Sequence, residues 1–470
     1  MIGANAFIDD PIDKIQAVGF IREYHNWDWD ERGENYKGYP DNEIRWAPGE
    51  WNFDDFYTKL KTANISVSPC IQGAPRWLEG KTDFPASHKP VDTPGANAAD
   101  PNSYRAKSHH MFQYAARYGS QKVPVNKLTL AADQPKSSGL GLIKYMEDWN
   151  EQDRTWEGPD AQFLPGEYAA MASADYDGHA NTMAPGTFGV KNADPNIRFV
   201  MGGLIEIRTD YIDAMKKWFA ANRKDGKFAA DVINFHHYAW KDGKSWQGGG
   251  PAKSPEEDNF RGKMEAMVKY RDQNLPGVEV WISEFGWDTN PQSRLSPPAI
   301  GPFDKQEVQG QWLVRSYLAF AAARVDRAQM FMLRDVNPTD TTWFATCGLV
   351  GPKGDWTPKK SWYYVYTLKN TLKDMVYLGE EKSSDPNILI YKFKHINGKK
   401  GAYVIWAKTK ENYVVNNYKL ILKGNPKTVR KVEMEAGRIS GVSTVMTKKE
   451  NNVSFQVSEK PLFILVDEIL

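Results

Sequence analysis

The chain has 470 residues and only two cysteines, Cys70 and Cys347, which rules out a disulfide framework and leaves the redox compartment open. It has no apolar run of about eighteen residues, so no helix is expected to span a membrane. Neither sign of charge dominates: 60 Lys and Arg face 59 Asp and Glu, for a formal charge of +1. That balance offers no general attraction for nucleic acid or an anionic membrane surface. There is no His-Glu-x-x-His, no close pair of cysteines and no Gly-x-x-x-x-Gly-Lys-Ser/Thr phosphate loop, so neither a metal nor a cofactor is expected. The pairs His109-His110 and His236-His237 are sequence neighbours whose side chains diverge, which is poor geometry for one ion. No basic-then-apolar leader precedes the first apolar stretch. The expectation is a secreted or periplasmic protein whose leader has been removed, with a cytoplasmic protein as the alternative. The oligomeric state is not legible.

What the chain does contain is a regular alternation of short apolar strands and helical stretches, the pattern of a parallel sheet with crossover helices. Strands are expected at 3–7, 20–24, 65–71, 143–148, 197–204, 232–238, 278–283 and 328–333. Helices are expected at 11–18, 51–63, 104–118, 167–183, 211–222, 256–273, 305–323 and 359–372. Eight strand-helix pairs over residues 1–375 predict an α/β fold, a (β/α)8 TIM barrel whose strand ends all open on one rim. Rim loops such as 72–102 are long enough to be functional. After Met375 the texture changes to short alternating strands separated by Asn, Gly and Lys turns. Residues 376–470 are therefore expected to form a small antiparallel β-sandwich.

Two of the strands run out into a carboxylate. Tyr-Met-Glu-Asp-Trp-Asn-Glu, residues 145–151, ends strand four at Glu151, and Val-Trp-Ile-Ser-Glu-Phe-Gly-Trp, residues 280–287, ends strand seven at Glu284. A barrel rim can bring such distant residues face to face. Two opposed carboxyls suit glycosidic-bond cleavage, one giving a proton to the leaving oxygen and the other placing negative charge or a nucleophile beneath the sugar C1. Neighbours must then hold the pair in different charge states. A lone Glu after an apolar run is more often a solvated strand end. Glu147, Asp148, Glu206, Asp288 and Asp335 compete as rim or wall carboxylates, but none follows an Asn as Glu151 follows Asn150.

Trp149-Asn150-Glu151 on strand four, Glu284 on strand seven, Arg22 on strand two and His236-His237-Tyr238 on strand six together resemble the clan A glycoside hydrolases. Ser361-Trp362-Tyr363-Tyr364 in the last helix adds some similarity to family 39. The resemblance covers the whole barrel, and the terminal module fits the accessory sandwich common in that clan. It implies Glu151 as general acid/base, Glu284 as nucleophile, and hydrolysis that retains the anomeric configuration with carboxyls about 5 Å apart. It further implies that Asn150 bonds the sugar 2-hydroxyl, that Arg22 keeps Glu284 ionised, that Tyr238 bonds the nucleophile and that His236 lines the pocket. Arg22 could instead serve an internal ion pair with Glu23 or a rim carboxylate. His237, on the opposite face from His236, could be a satisfied core histidine.

Aromatic residues make up 13% of the chain, with 17 Trp. Trp27, Trp29, Trp77, Trp240, Trp287 and Trp343 all follow strand ends and are candidates for stacking on sugar rings, against the alternative of anchoring loops by burial. Their spread over several loops suggests a cleft with more than one subsite. The resulting expectation is an endo-acting enzyme on an oligo- or polysaccharide. The alternatives are an exo-acting, xylosidase-like β-glycosidase, a transglycosylase, or a non-catalytic glycan-binding barrel.

Overall fold

Eight short strands, almost without exposed residues, close on one another in chain order: β1 (Ile2–Ala6), β2 (Phe20–Asn26), β3 (Ser66–Gln72), β4 (Tyr145–Asp148), β5 (Arg198–Met201), β6 (Val232–His236), β7 (Glu279–Glu284) and β8 (Arg327–Met330). Every pairing is parallel, and β1 pairs with β8 to complete the barrel. The computed structural model describes residues 2–32, 36–46, 51–79, 86–239 and 252–470. Burial on both faces is what a barrel strand requires, since helices cover one side and packed side chains fill the other.

The crossover helices lie where the apolar periodicity puts them, with shifts at their ends that local chemistry explains. The helix expected from Trp51 starts at Phe53, because the Asn52 side chain accepts a hydrogen bond from the Asp55 N–H and so caps it. The helix expected from Glu256 starts at Phe260 for the same reason, with Asn259 accepting from the Gly262 N–H. The first helix shrinks to one turn, Ile12–Ile15.

Inside the barrel, Phe20, Tyr145, Val200, Val232 and Trp281 form an apolar floor. The Arg327 guanidinium lies over the rings of Phe20 and Tyr145 at 4.6 and 4.4 Å and closes this end. One pleat higher, two residues further along three of those strands, stand Arg22, Glu147 and Asn234. Polar residues at this level are buried beneath the rim and bond one another.

Beyond the barrel, β9 (Met375–Glu380), β10 (Ile388–His395), β11 (Gly401–Ala407), β12 (Val415–Ile421), β13 (Val429–Glu435), β14 (Arg438–Val445), β15 (Asn452–Val457) and β16 (Leu462–Val466) form two antiparallel sheets. Six strands are ordered β14-β13-β16-β11-β10-β9, and β12 pairs with β15. Alternation divides the larger sheet. Ile390, Tyr403, Ile405 and Ile464 pack with Tyr418, Leu420 and Phe455 of the smaller sheet, while Tyr391, Val404, Trp406 and Phe463 join the core of the barrel. Trp406 Nε1 donates to Glu256 at 2.9 Å, so the sheet is tied to the barrel by polar contacts as well. The edges of the larger sheet are β9 and β14, both with many exposed residues.

Candidate active site

The placement of Glu284 depends on a break in strand geometry. Trp281 points into the barrel floor and Ile282 into the outer core, so simple alternation would turn Ser283 inward and Glu284 outward. The register between β6 and β7 shifts instead: Phe235 pairs with Ile282, but His236 pairs with Glu284. The extra residue is Ser283, and the irregularity re-aims Glu284 into the barrel mouth beside His236.

Four groups converge on the Glu284 carboxylate. Arg22 Nη1 donates to Oε1 at 2.8 Å, the Tyr24 hydroxyl donates to the same oxygen, and the Tyr238 hydroxyl donates to Oε2 at 2.9 Å. His236 Nε2 lies 3.5 Å from Oε1. Burial alone would raise the Glu284 pKa. His236 when protonated, the fixed charge of Arg22 and the two hydroxyls outweigh that effect and hold the carboxyl below its ordinary value. Arg22 is itself clamped, donating from Nε and Nη2 to the two oxygens of Glu147 at 2.7 and 2.9 Å, and from Nη1 to Asn5 at 3.1 Å. The internal ion pair and the contact to Glu284, offered above as alternatives for Arg22, are both present, with Glu147 rather than Glu23 as the structural partner.

Glu151 is held differently. The chain leaves β4 through two left-handed residues, Trp149 at φ 77° and Glu151 at φ 49°, a conformation that costs an L-residue about 1–2 kcal/mol. Packing of Trp149 against Phe163 and the Glu151 N–H bond to the Gly203 carbonyl at 3.0 Å accompany it. The turn aims Asn150 inward, where its Oδ1 accepts from Arg22 Nη2 at 2.7 Å and its amide nitrogen is left to donate elsewhere. Glu151 keeps 21% of its side chain exposed, and Oε1 lies 2.9 Å from His236 Nδ1. His236 thus stands between the two carboxyls. Gly203 makes room for it, since a Cβ there would come within 2.2 Å of His236 Nε2.

Oxygens of Glu151 and Glu284 and a ring nitrogen of His236 lie within 4.8 Å of one another. Such a trio could also gather on a cation. The Arg22 guanidinium on Glu284 opposes added positive charge, which makes the grouping a poor match for a cation.

Tyr24 is the clearest residue that sequence reading missed. It lies two residues beyond Arg22 and therefore on the same strand face, which was the available signal. Asn5 and Asn234 were missed as well; they bond Arg22 and Glu147 from β1 and β6.

The aromatic expectations divide. Trp29 lines a cavity of about 430 Å3 that also includes Tyr24, Trp51 and Phe331. Trp343 is half-buried against the cluster of Tyr238, Phe331 and Phe344 at the mouth. Trp27 and Trp287 are fully buried, so both are corrected from sugar platforms to loop anchors. Trp27 Nε1 bonds Glu31, and Trp287 Nε1 bonds the Lys253 carbonyl while its ring stacks on Phe260. Burial wins because each indole has both an apolar bed and a polar acceptor within it. Trp77 is half-buried, edge-on to Trp27, and lies off the cavity wall. Trp240 lies outside the described residues.

Three of the competing carboxylates are occupied elsewhere. Asp148 is buried against Lys107, Asp288 accepts from Ser293 and the backbone of Phe344 and Thr346, and Asp335 pairs with Lys359. His237 Nε2 lies 2.5 Å from Asp258, whose carboxylate also accepts from Lys263, so this is a satisfied histidine outside the pair.

No family model and no curated protein sequence matches the chain. Solved structures do. A family 39 glycoside hydrolase from the gut symbiont Bacteroides cellulosilyticus WH2 superposes with a TM-score of 0.65 at 13% identity, over 99% of this chain and 80% of that one. A family 30 endoxylanase from Clostridium papyrosolvens C71 gives 0.59 at 11%, over 99% and 96%. A family 51 arabinofuranosidase from Xanthomonas axonopodis pv. citri gives 0.56 at 12%, over 96% and 88%. The chain has the fold of the clan A glycoside hydrolases, a parallel eight-stranded barrel with a C-terminal β-sandwich.

Proposed function

We propose that this protein is a retaining β-glycoside hydrolase working by double displacement. The observation that carries the reading is the approach of Glu151 and Glu284 to within 4.8 Å, with Glu284, among the described residues, the one of the two held by a fixed cation. Inverting enzymes need a wider gap, about 6.5–9.5 Å, to admit a water between the carboxyls.

Glu284 attacks C1 of the sugar while the C1–O bond to the leaving group breaks and Glu151 gives its proton to that oxygen. The result is a glycosyl ester on Glu284. Glu151, now ionised, then takes a proton from a water that attacks C1 and releases Glu284. Asn150, its carbonyl oxygen held by Arg22, presents its amide nitrogen to the sugar 2-hydroxyl, a contact that tightens as positive charge builds in the ring. The second reading, a glycan-binding barrel without catalysis, gives no reason to hold two carboxyls so close.

Endo action on an oligo- or polysaccharide is part of the proposal. Its support is the cavity walled by Trp29 and Trp51 beyond Tyr24, which leaves space past the cleaved ring. The test is digestion of plant, algal and host polysaccharides with product sizes and the anomer first released read by NMR. Retained configuration and mid-chain products are expected. Inverted product, or a Glu284→Ala variant as fast as the parent, would falsify the mechanism.

A further inference from the structure

The cavity beside the nucleophile has a chemical character that bears on the substrate, and the inference drawn from it rests on the hydrolase reading above. Tyr24 links the two places: its hydroxyl bonds Glu284, while its ring stacks on Phe7 at 5.8 Å and forms part of the cavity wall. Further out, Trp29 and Trp51 stand edge to face at 4.6 Å, both half-buried. These rings give the cavity apolar faces of the kind that the C–H surface of a sugar ring covers.

The polar groups on the wall divide into an uncharged amide pair and an internal ion pair. Gln72 Nε2 donates to Asn26 Oδ1 at 3.2 Å, an amide pair that leaves the Asn26 nitrogen and the Gln72 oxygen as one donor group and one acceptor for hydroxyls. Among the described residues, Arg334 is the cation on the wall, and its charge is already taken. Its Nη1 lies 2.8 Å from Asp9 and 2.6 Å from Asp10, and its guanidinium covers the Phe7 ring at 4.7 Å. Asp9, also on the wall, has Lys353 as a second partner. Burial opposes ionisation of Asp9, but Lys353 and Arg334 overcome it and hold its pKa below the ordinary value. A carboxylate or sulfate placed here would find no unpaired cation among these groups and would face the Asp9 anion.

We infer that this cavity is a subsite for an uncharged sugar residue next to the one being cleaved, held by Trp29 and Trp51 and read by the Asn26–Gln72 amide pair. The substrate is therefore a glycan whose sugar at this position carries neither carboxylate nor sulfate.

Binding separates this inference from the hydrolase reading. Neutral xylo-, manno-, gluco- and agaro-oligosaccharides are titrated into the Glu284→Gln protein, with tryptophan fluorescence or calorimetry as readout, each beside a counterpart bearing uronate or sulfate. At least one neutral series is expected to bind, at least about tenfold tighter than its charged counterpart. Trp51→Ala is expected to weaken that binding about fivefold, with Trp51→Phe recovering most of it and the melting temperature showing that each variant is folded. Tighter binding of the charged partner, binding indifferent to Trp51, or no binding across the neutral panel overturns the inference. If neutral sugars bind at the Trp51 wall while the parent protein cleaves none of them, the subsite stands and the hydrolase reading fails.

Discussion

The ends of β7 and β4 present the same side chain in opposite circumstances. Glu284 is buried and receives hydrogen bonds from Arg22, Tyr24 and Tyr238; Glu151 is partly exposed and, among the described residues, meets the His236 side chain. In the proposed mechanism an anion ready to attack must be stabilised before substrate arrives, whereas a group that gives and then retakes a proton must not be tied to a permanent cation. The fold makes the difference by aiming Arg22 at Glu284 and leaving Glu151 against His236, which stands between the two.

The largest test removes the anion. Glu284→Gln should lower kcat by roughly ten-thousandfold or more, since no other described carboxylate reaches its place. Glu151→Gln should cost roughly a hundred- to ten-thousandfold on natural glycans and far less on aryl glycosides with good leaving groups, because those need little protonation. Equal losses on both substrate types would erase the proposed contrast between the two ends.

Arg22→Met attacks the cause of the contrast. It strands Glu147 and Glu284 without their cation, which should cost about 3–5 kcal/mol of stability, visible in urea unfolding. The sign of the pH effect follows from the lowered Glu284 pKa: activity that depends on the anion is present above that pKa and lost as pH falls through it. Weakening the anion raises the pKa, so the acidic limb of kcat/KM should move to higher pH in any surviving activity. Tyr24→Phe should do the same more gently, losing about 1.5–3 kcal/mol of transition-state or anion stabilisation. An acidic limb unmoved in Tyr24→Phe would show that this hydroxyl does not sustain the charge.

Glu23 sharpens the comparison as a buried carboxyl without a guanidinium. It follows Arg22 on β2 but faces away from the barrel mouth, bonding Tyr57 at 2.8 Å. Burial, only partly offset by His25 and Tyr57, pushes its pKa up to about 7. A raised carboxyl contributes stability below its unfolded pKa and loses it as pH rises through about 7. Glu23→Gln should therefore be more stable than the parent at pH ~8, by on the order of 3 kcal/mol, with the gain vanishing near pH ~4. Unchanged differential stability across that range would mean that burial alone does not suppress ionisation here.

Much of this site was legible because barrel strands are short, apolar and numerous, and because Asn150-Glu151 and Glu284 fall at strand ends. Arg22 could be picked out as a charge inside an apolar strand, and Tyr24 could have been found two residues on. The tryptophans were harder. Trp27 and Trp29 are separated by one residue, yet the first is fully buried against His110 and Trp77 while the second lines the cavity. A Trp after a strand looks the same in sequence whether its indole finds a bed in the core or a face toward solvent.

The amino-acid order by itself determined the eightfold alternation, hence a barrel with one functional rim, because hydrophobic period and turn chemistry act locally. Only tertiary structure decided which way Glu284 faces. Alternation from Trp281 would send it outward, and the irregular pairing of β7 with β6 at Ser283 sends it inward instead. Pairing register depends on how two strands pack together in the closed barrel, and no local preference of either strand contains it.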